Sequence, residues 1–118
     1  MANPVTHFEV VGKDAELLQK FYAAAFGWEV KPQFPGYAMA RPGGKGISGG
    51  IGKADDGGAG YVTFYIQVAD VNAALGSISS LGGRTILPET RVPGGPVIGL
   101  FHDPEGHLVG LVQSRGAE

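Results

Sequence analysis

"HFEVVGKDAELLQKFYAAAFGWEV" (residues 7–30) falls, 56 positions later, on "TFYIQVADVNAALGSISSLGGRTI" (63–86). Phe8 meets Phe64, Asp14 meets Asp70 and Gly27 meets Gly83. Val10 meets Ile66 and Val30 meets Ile86. Each identity marks the same structural event in both copies. An alternating strand comes first, with Phe8 and Val10 on one face, or Phe64, Ile66 and Val68. An Asp follows, a side chain that accepts hydrogen bonds from the free N–H groups of a new helix. The apolar stripes Leu17, Leu18, Phe21, Tyr22, Ala25 and Val71, Ala74, Leu75, Ile78, Leu81 then have helical spacing. Each helix is expected to stop at glycine, Gly27 in one copy and Gly82-Gly83 in the other.

The repeat resumes at an offset of 62, where "RPGGKGISGG" (41–50) falls on "DPEGHLVGLV" (103–112). "WEVKP" and "YAMARP" fill the middle of the first copy, "RTILPETRV" and "PVIGLFH" that of the second. The chain therefore reads as one α+β domain of two βαβββ modules. Residues 1–51 form the first, the glycine-rich 52–60 a flexible linker, and 61–118 the second. The expected result is a curved, mostly antiparallel sheet cup with both helices outside.

Bulk properties narrow the function. At 118 residues and a formal charge of −2, nothing favours nucleic acid or an anionic membrane as a partner. No apolar run reaches the ~18 residues of a membrane helix. "MANPVTHFEV" lacks a signal peptide's basic start and apolar core, so a cytoplasmic location is the expectation. The absence of cysteine excludes thiol catalysis, disulfides and Cys-based zinc sites.

Strand parity selects the candidate site. Opposite Phe8 and Val10 lie His7, Glu9 and Val11; the second copy carries Thr63, Tyr65 and Gln67 there. On the last strand of each module the repeat points to Ser48, or Gly49 after a one-residue slip, and to Gly110. Gly110 is conspicuous, because a glycine inside a strand leaves room for something close to the backbone. His7 and Glu9 read as polar wall residues, exposed beside each other or touching a ligand, more than as an acid–base pair. Tyr65 either stacks on a flat ligand or covers the sheet. His102 is a weak further ligand candidate, His107 reads as surface, and Asp103 as the holder of its own turn. "GGKGISGGIG" (43–52) lacks the Gly-Lys-Ser/Thr ending of a phosphate loop and precedes no helix. It reads as a turn and a glycine-rich strand.

The Phe-Tyr and Phe-Gly-Trp signatures of residues 7–30, with "YIQVADVNAAL" and "FHDPEGHLVGLV", resemble the vicinal oxygen chelate superfamily. That superfamily includes glyoxalase I, bleomycin- and fosfomycin-resistance proteins, extradiol dioxygenases and methylmalonyl-CoA epimerase. The resemblance spans nearly the whole chain. It implies a homodimer and, in metal-using members, four His, Gln or Glu ligands from the first and last strands of both modules. Only His7 matches; Ser48, Thr63 and Gly110 stand at the other positions. No cofactor is expected on that basis. The reading is a metal-independent protein that binds and sequesters a small molecule, an aromatic one among the candidates. The alternative is a metal-dependent lyase, isomerase or dioxygenase of the glyoxalase I type, its divalent ion held by His7 with Glu9 or His102.

Overall fold

A computed structural model of the chain describes residues 2–114. Eight strands and two helices follow in the order expected of two βαβββ modules. The chain divides into two compact units, Thr6–Thr63 and the residues up to Val5 together with those from Phe64 onward. No helix among the described residues is long and apolar enough to cross a membrane.

In the first unit, β1 (Val5–Gly12) pairs in parallel with β4 (Ser48–Lys53). β4 pairs antiparallel with β3 (Tyr37–Arg41), and β3 with β2 (Glu29–Phe34). Gly52 and Lys53, placed in the linker by the sequence reading, are part of β4. Helix α1 (Ala15–Phe26) starts where Asp14 accepts a hydrogen bond from Leu17 N at 3.0 Å. It ends at Gly27, whose φ of 74° is the left-handed conformation that glycine adopts without a Cβ penalty. Beneath it, Val10, Ala40 and Ile51 form a buried core with Phe8, Leu18, Tyr22, Trp28 and Val30 packed on it. Trp28 sits 5.5 Å from Tyr22 and 5.2 Å from Phe8 between ring centroids.

The second unit repeats the plan. β5 (Tyr61–Val68) pairs in parallel with β8 (Leu108–Gln113), β8 antiparallel with β7 (Val97–His102), and β7 with β6 (Arg84–Arg91). Helix α2 (Val71–Ser80) is capped by Asp70, which accepts from Ala73 N at 3.0 Å. Val71 and Leu75 join Val68, Phe101, Val109 and Leu111 in its core, with Ala74 and Ile78 alongside.

The expected apolar stripes are only partly buried. Leu17 and Phe21 are 64% and 57% exposed, and Leu81 is also exposed, as is the strand residue Phe64. Successive helix positions differ by about 100°, so a stripe wide enough to hold Leu17, Leu18, Phe21 and Tyr22 exceeds what one sheet face covers. Leu18 and Tyr22 reach the sheet while Leu17 and Phe21 flank it. Leu81 is the C-cap, one residue beyond α2.

Candidate functional site

His7, Glu9, Ser48 and Thr63 belong to the first unit, and Tyr65, Gln67 and Gly110 to the second. The β1–β4 register sets His7 opposite Ser48 and Phe8 opposite Gly49. Ser48 therefore shares the polar face with His7. Gly49 lies on the helix face, where a Cβ would meet the Phe8 ring at 2.5 Å.

Glu9 is the centre of the polar face of the first unit, and of the roles considered for it the exposed one does not hold. It is 8% exposed. Its Oε2 accepts a hydrogen bond from Tyr37 Oη at 3.1 Å and its Oε1 one from Tyr61 Oη at 3.0 Å. A carboxylate drawn out of water needs such donors, since burying it otherwise costs several kcal/mol. Burial raises both phenols above their ordinary range, and the Glu9 charge and hydrogen bond add to the effect. Both hydroxyls therefore stay protonated as donors at neutral pH. His7 is half-buried on the same face; burial lowers its imidazole below the usual value, against a smaller upward pull from Glu9. His7 is thus the neutral form at pH 7, able to donate from one nitrogen and accept at the other.

Tyr37 and Tyr61 were not among the sequence candidates. Tyr61 was within reach of parity, lying two residues before Thr63 on the same face of β5. For Tyr37 the signal is the glycine pair of β4. A Cβ at Gly50 would run into the Tyr37 hydroxyl, and one at Gly52 would sit 2.5 Å from Tyr37 Cδ1. These glycines let the Tyr37 ring lie over β4 and reach Glu9.

The second unit uses the same device. Tyr65 pairs with Gly110 across β5 and β8, and a Cβ on Gly110 would lie 2.5 Å from Tyr65 Cε2. Tyr65 is 5% exposed. The space beside Gly110 is filled by the Tyr65 ring, which lies against the sheet there. The register corrects the repeat. Tyr65–Gly110 corresponds to Glu9–Gly50, so the counterpart of Gly110 is Gly50, not Ser48. A slip of two residues preserves the face, which is why parity still found the polar side. Gln67 lies opposite Val112, with its N–H bonded to Pro4 O. Thr63 is buried.

His102 ends β7, half-buried, with Nδ1 3.5 Å from Arg84 Nη2. Asp103 closes the following turn, accepting from Glu105 N, His107 N and His107 Nδ1 at 2.9–3.0 Å. These bonds hold its carboxyl below the usual range. His107 is exposed, as expected.

Among the described residues no three His, Asp or Glu side chains gather as a metal-holding group. The donor set does not suit the four-ligand ion of metal-using relatives. Gly50 and Gly110 carry no side chain at the last-strand positions, and Tyr37 and Tyr65 occupy the space beside them. Thr63 offers only a hydroxyl, and the Glu9 oxygens already accept from two tyrosines. Two hollows in the first unit border this face, one reaching Tyr37 and the other Tyr61. One of about 360 Å³ is bordered by Gln19, Phe34 and Tyr37, the other of about 470 Å³ by Leu17, Tyr22 and Val62.

Comparison with known proteins places this geometry in a family. A fungal "Glyoxylase-like domain-containing protein" from Didymella fabae is 27% identical over 95% of this chain and 94% of its own length. Methylmalonyl-CoA epimerase from Mycobacterium tuberculosis shares the fold at a TM-score of 0.72 and 16% identity, covering 94% of this chain and 87% of that one. A Streptomyces coelicolor methylmalonyl-CoA epimerase variant in complex with 2-nitronate-propionyl-CoA superposes at 0.67 with 22% identity, over 100% and 99% of the two chains. The family model for the Glyoxalase/Bleomycin resistance protein/Dioxygenase superfamily matches residues 5–111, and the chain belongs to that superfamily.

Proposed function

We propose that this protein binds and sequesters a small molecule without a metal ion, acting as a homodimer. The observation that carries this reading is the tyrosine-over-glycine pairing. Where a last-strand carboxylate would project, Gly50 and Gly110 give their space to Tyr37 and Tyr65. Glu9, the buried carboxylate of the face, is engaged by two phenols rather than held open. Its role is then to order the tyrosines and shape a polar wall, with His7 and Ser48 as adaptable hydrogen-bonding groups. Residues arranged in this way recognise a ligand without carrying a reaction forward.

Elemental mass spectrometry on tag-free protein, purified without chelator and then offered zinc, nickel, iron or manganese, tests the metal half. The expected result is far below one ion per chain. Close to one divalent ion per chain would favour the lyase, isomerase or dioxygenase reading, for which the neutral His7 is a competent first ligand. A thermal-shift screen of small aromatic and polar molecules tests the binding half. Hits whose stabilisation disappears in His7→Ala support it; hits indifferent to that change overturn it.

A further inference from the structure

From the strand register we infer that Arg41, Ser48 and His7 form a three-strand row that binds the oxyanion of a small carboxylate or phosphate ester. The inference rests on the binding reading above and names the chemical class of the ligand.

The row follows from the ladders. β1–β4 sets His7 opposite Ser48. The β3–β4 ladder pairs Met39 with Gly50 and Ala40 with Gly49, so its next step sets Arg41 beside Ser48. Adjacent strands lie about 4.7–4.9 Å apart, so three side chains in one row across β1, β4 and β3 can meet one small group. All three project to one face. Tyr37 is on that face because its hydroxyl reaches Glu9, and Met39 and Arg41 follow it at the strand's period of two. Ser48 follows from Gly50 and Gly52, which lie under Tyr37.

The row differs from the rest of the face in both access and charge. One step along the strands, the surface is closed by Tyr37 and the buried Glu9. At the row itself Arg41 is exposed and His7 and Ser48 are half-buried. It offers a guanidinium fork, a hydroxyl and an imidazole, which are donors suited to a carboxylate or phosphate. The acidic neighbour across from Arg41 is Glu29, which is ion-paired with Lys31 at 3.7 Å. Half-buried Met39, next to Arg41 on the same face, gives an apolar floor for the body of the ligand. Burial keeps His7 neutral, so Arg41 supplies the charge and His7 a directional contact.

The test uses the full chain, with benzoate and phenyl phosphate as anionic probes and benzyl alcohol as the uncharged one. His7 ring resonances are followed by NMR. Both anions are expected to shift them saturably, and Arg41→Gln to weaken that binding about tenfold to a hundredfold. Arg41→Lys, which keeps the charge and loses the fork, should fall between. Ser48→Ala should weaken the anions and leave benzyl alcohol unaffected. Arg41 is exposed, so an unchanged amide spectrum of Arg41→Gln checks that the fold survives. If benzyl alcohol shifts His7 as strongly as the anions, or Arg41→Gln binds them normally, the row is overturned while the binding reading stands. If no probe moves His7, the row is overturned, and the wider thermal-shift screen decides the binding reading by itself.

Discussion

The Tyr65 ring occupies the space that a side chain on Gly110 would need, the two residues facing each other across the parallel β5–β8 ladder. Tyr65 is buried there, so the ring has little freedom to swing aside. Gly110→Ala is expected to lower stability by about 1–3 kcal/mol through overpacking. Urea denaturation measures it. In a Tyr65→Ala background the same substitution should cost little, because the clash has gone. Equal costs in both backgrounds would mean that the ring is not what Gly110 accommodates.

Glu9 makes a second relationship measurable. Tyr37→Phe and Tyr61→Phe each remove one hydroxyl from a buried carboxylate, a change worth about 1.5–3 kcal/mol for a hydrogen bond to a charged group. Because both hydroxyls serve one acceptor, the double variant should depart from additivity. Denaturation of the four proteins closes the cycle. Strict additivity, or single costs near zero, would show that the phenols do not hold Glu9 in solution.

Alkaline titration gives an independent view of the same cluster. The folded state holds Tyr37 and Tyr61 above the ordinary phenol value of 10, by burial first and then by the Glu9 charge. The unfolded chain then loses these protons first as pH rises. Their contribution to stability is complete below pH 10 and declines above it. Phenolate absorbance should show tyrosine titration extending well above pH 10, and Glu9→Gln should move that part of it down. Release of all tyrosine protons together near pH 10 would contradict the buried cluster.

How much of this was legible in the sequence depends on the range of the interaction. Asp14 and Asp70 were readable as caps because the groups they satisfy are three residues away. The polar face was readable because strand side chains alternate strictly, so a register error of two at Gly110 left the face intact. Apolar spacing alone does not say which side chains a neighbour will cover, and Leu17 and Phe21 stayed exposed. Tyr37 and Tyr61 reach Glu9 from 28 and 52 residues away, a meeting fixed only by register. Gly110 announced a missing side chain, and nothing local to it named Tyr65 as the ring that fills the gap.

His7 carries the acid-side counterpart. Burial lowers its folded-state value below the 6.5 of a free imidazole. Between those two values the unfolded chain holds the proton more readily than the folded one, so unfolding takes up protons as pH falls. Stability should therefore be constant, as far as His7 is concerned, above pH 6.5 and decline as pH drops below it. His7→Gln cannot titrate and should flatten that part of the profile. The measurement is urea denaturation at intervals between pH 7.5 and pH 5, wild type against variant. Identical slopes in the two proteins would mean that His7 is as hydrated in the folded state as in the unfolded chain, and would remove it from the buried wall on which the binding reading depends.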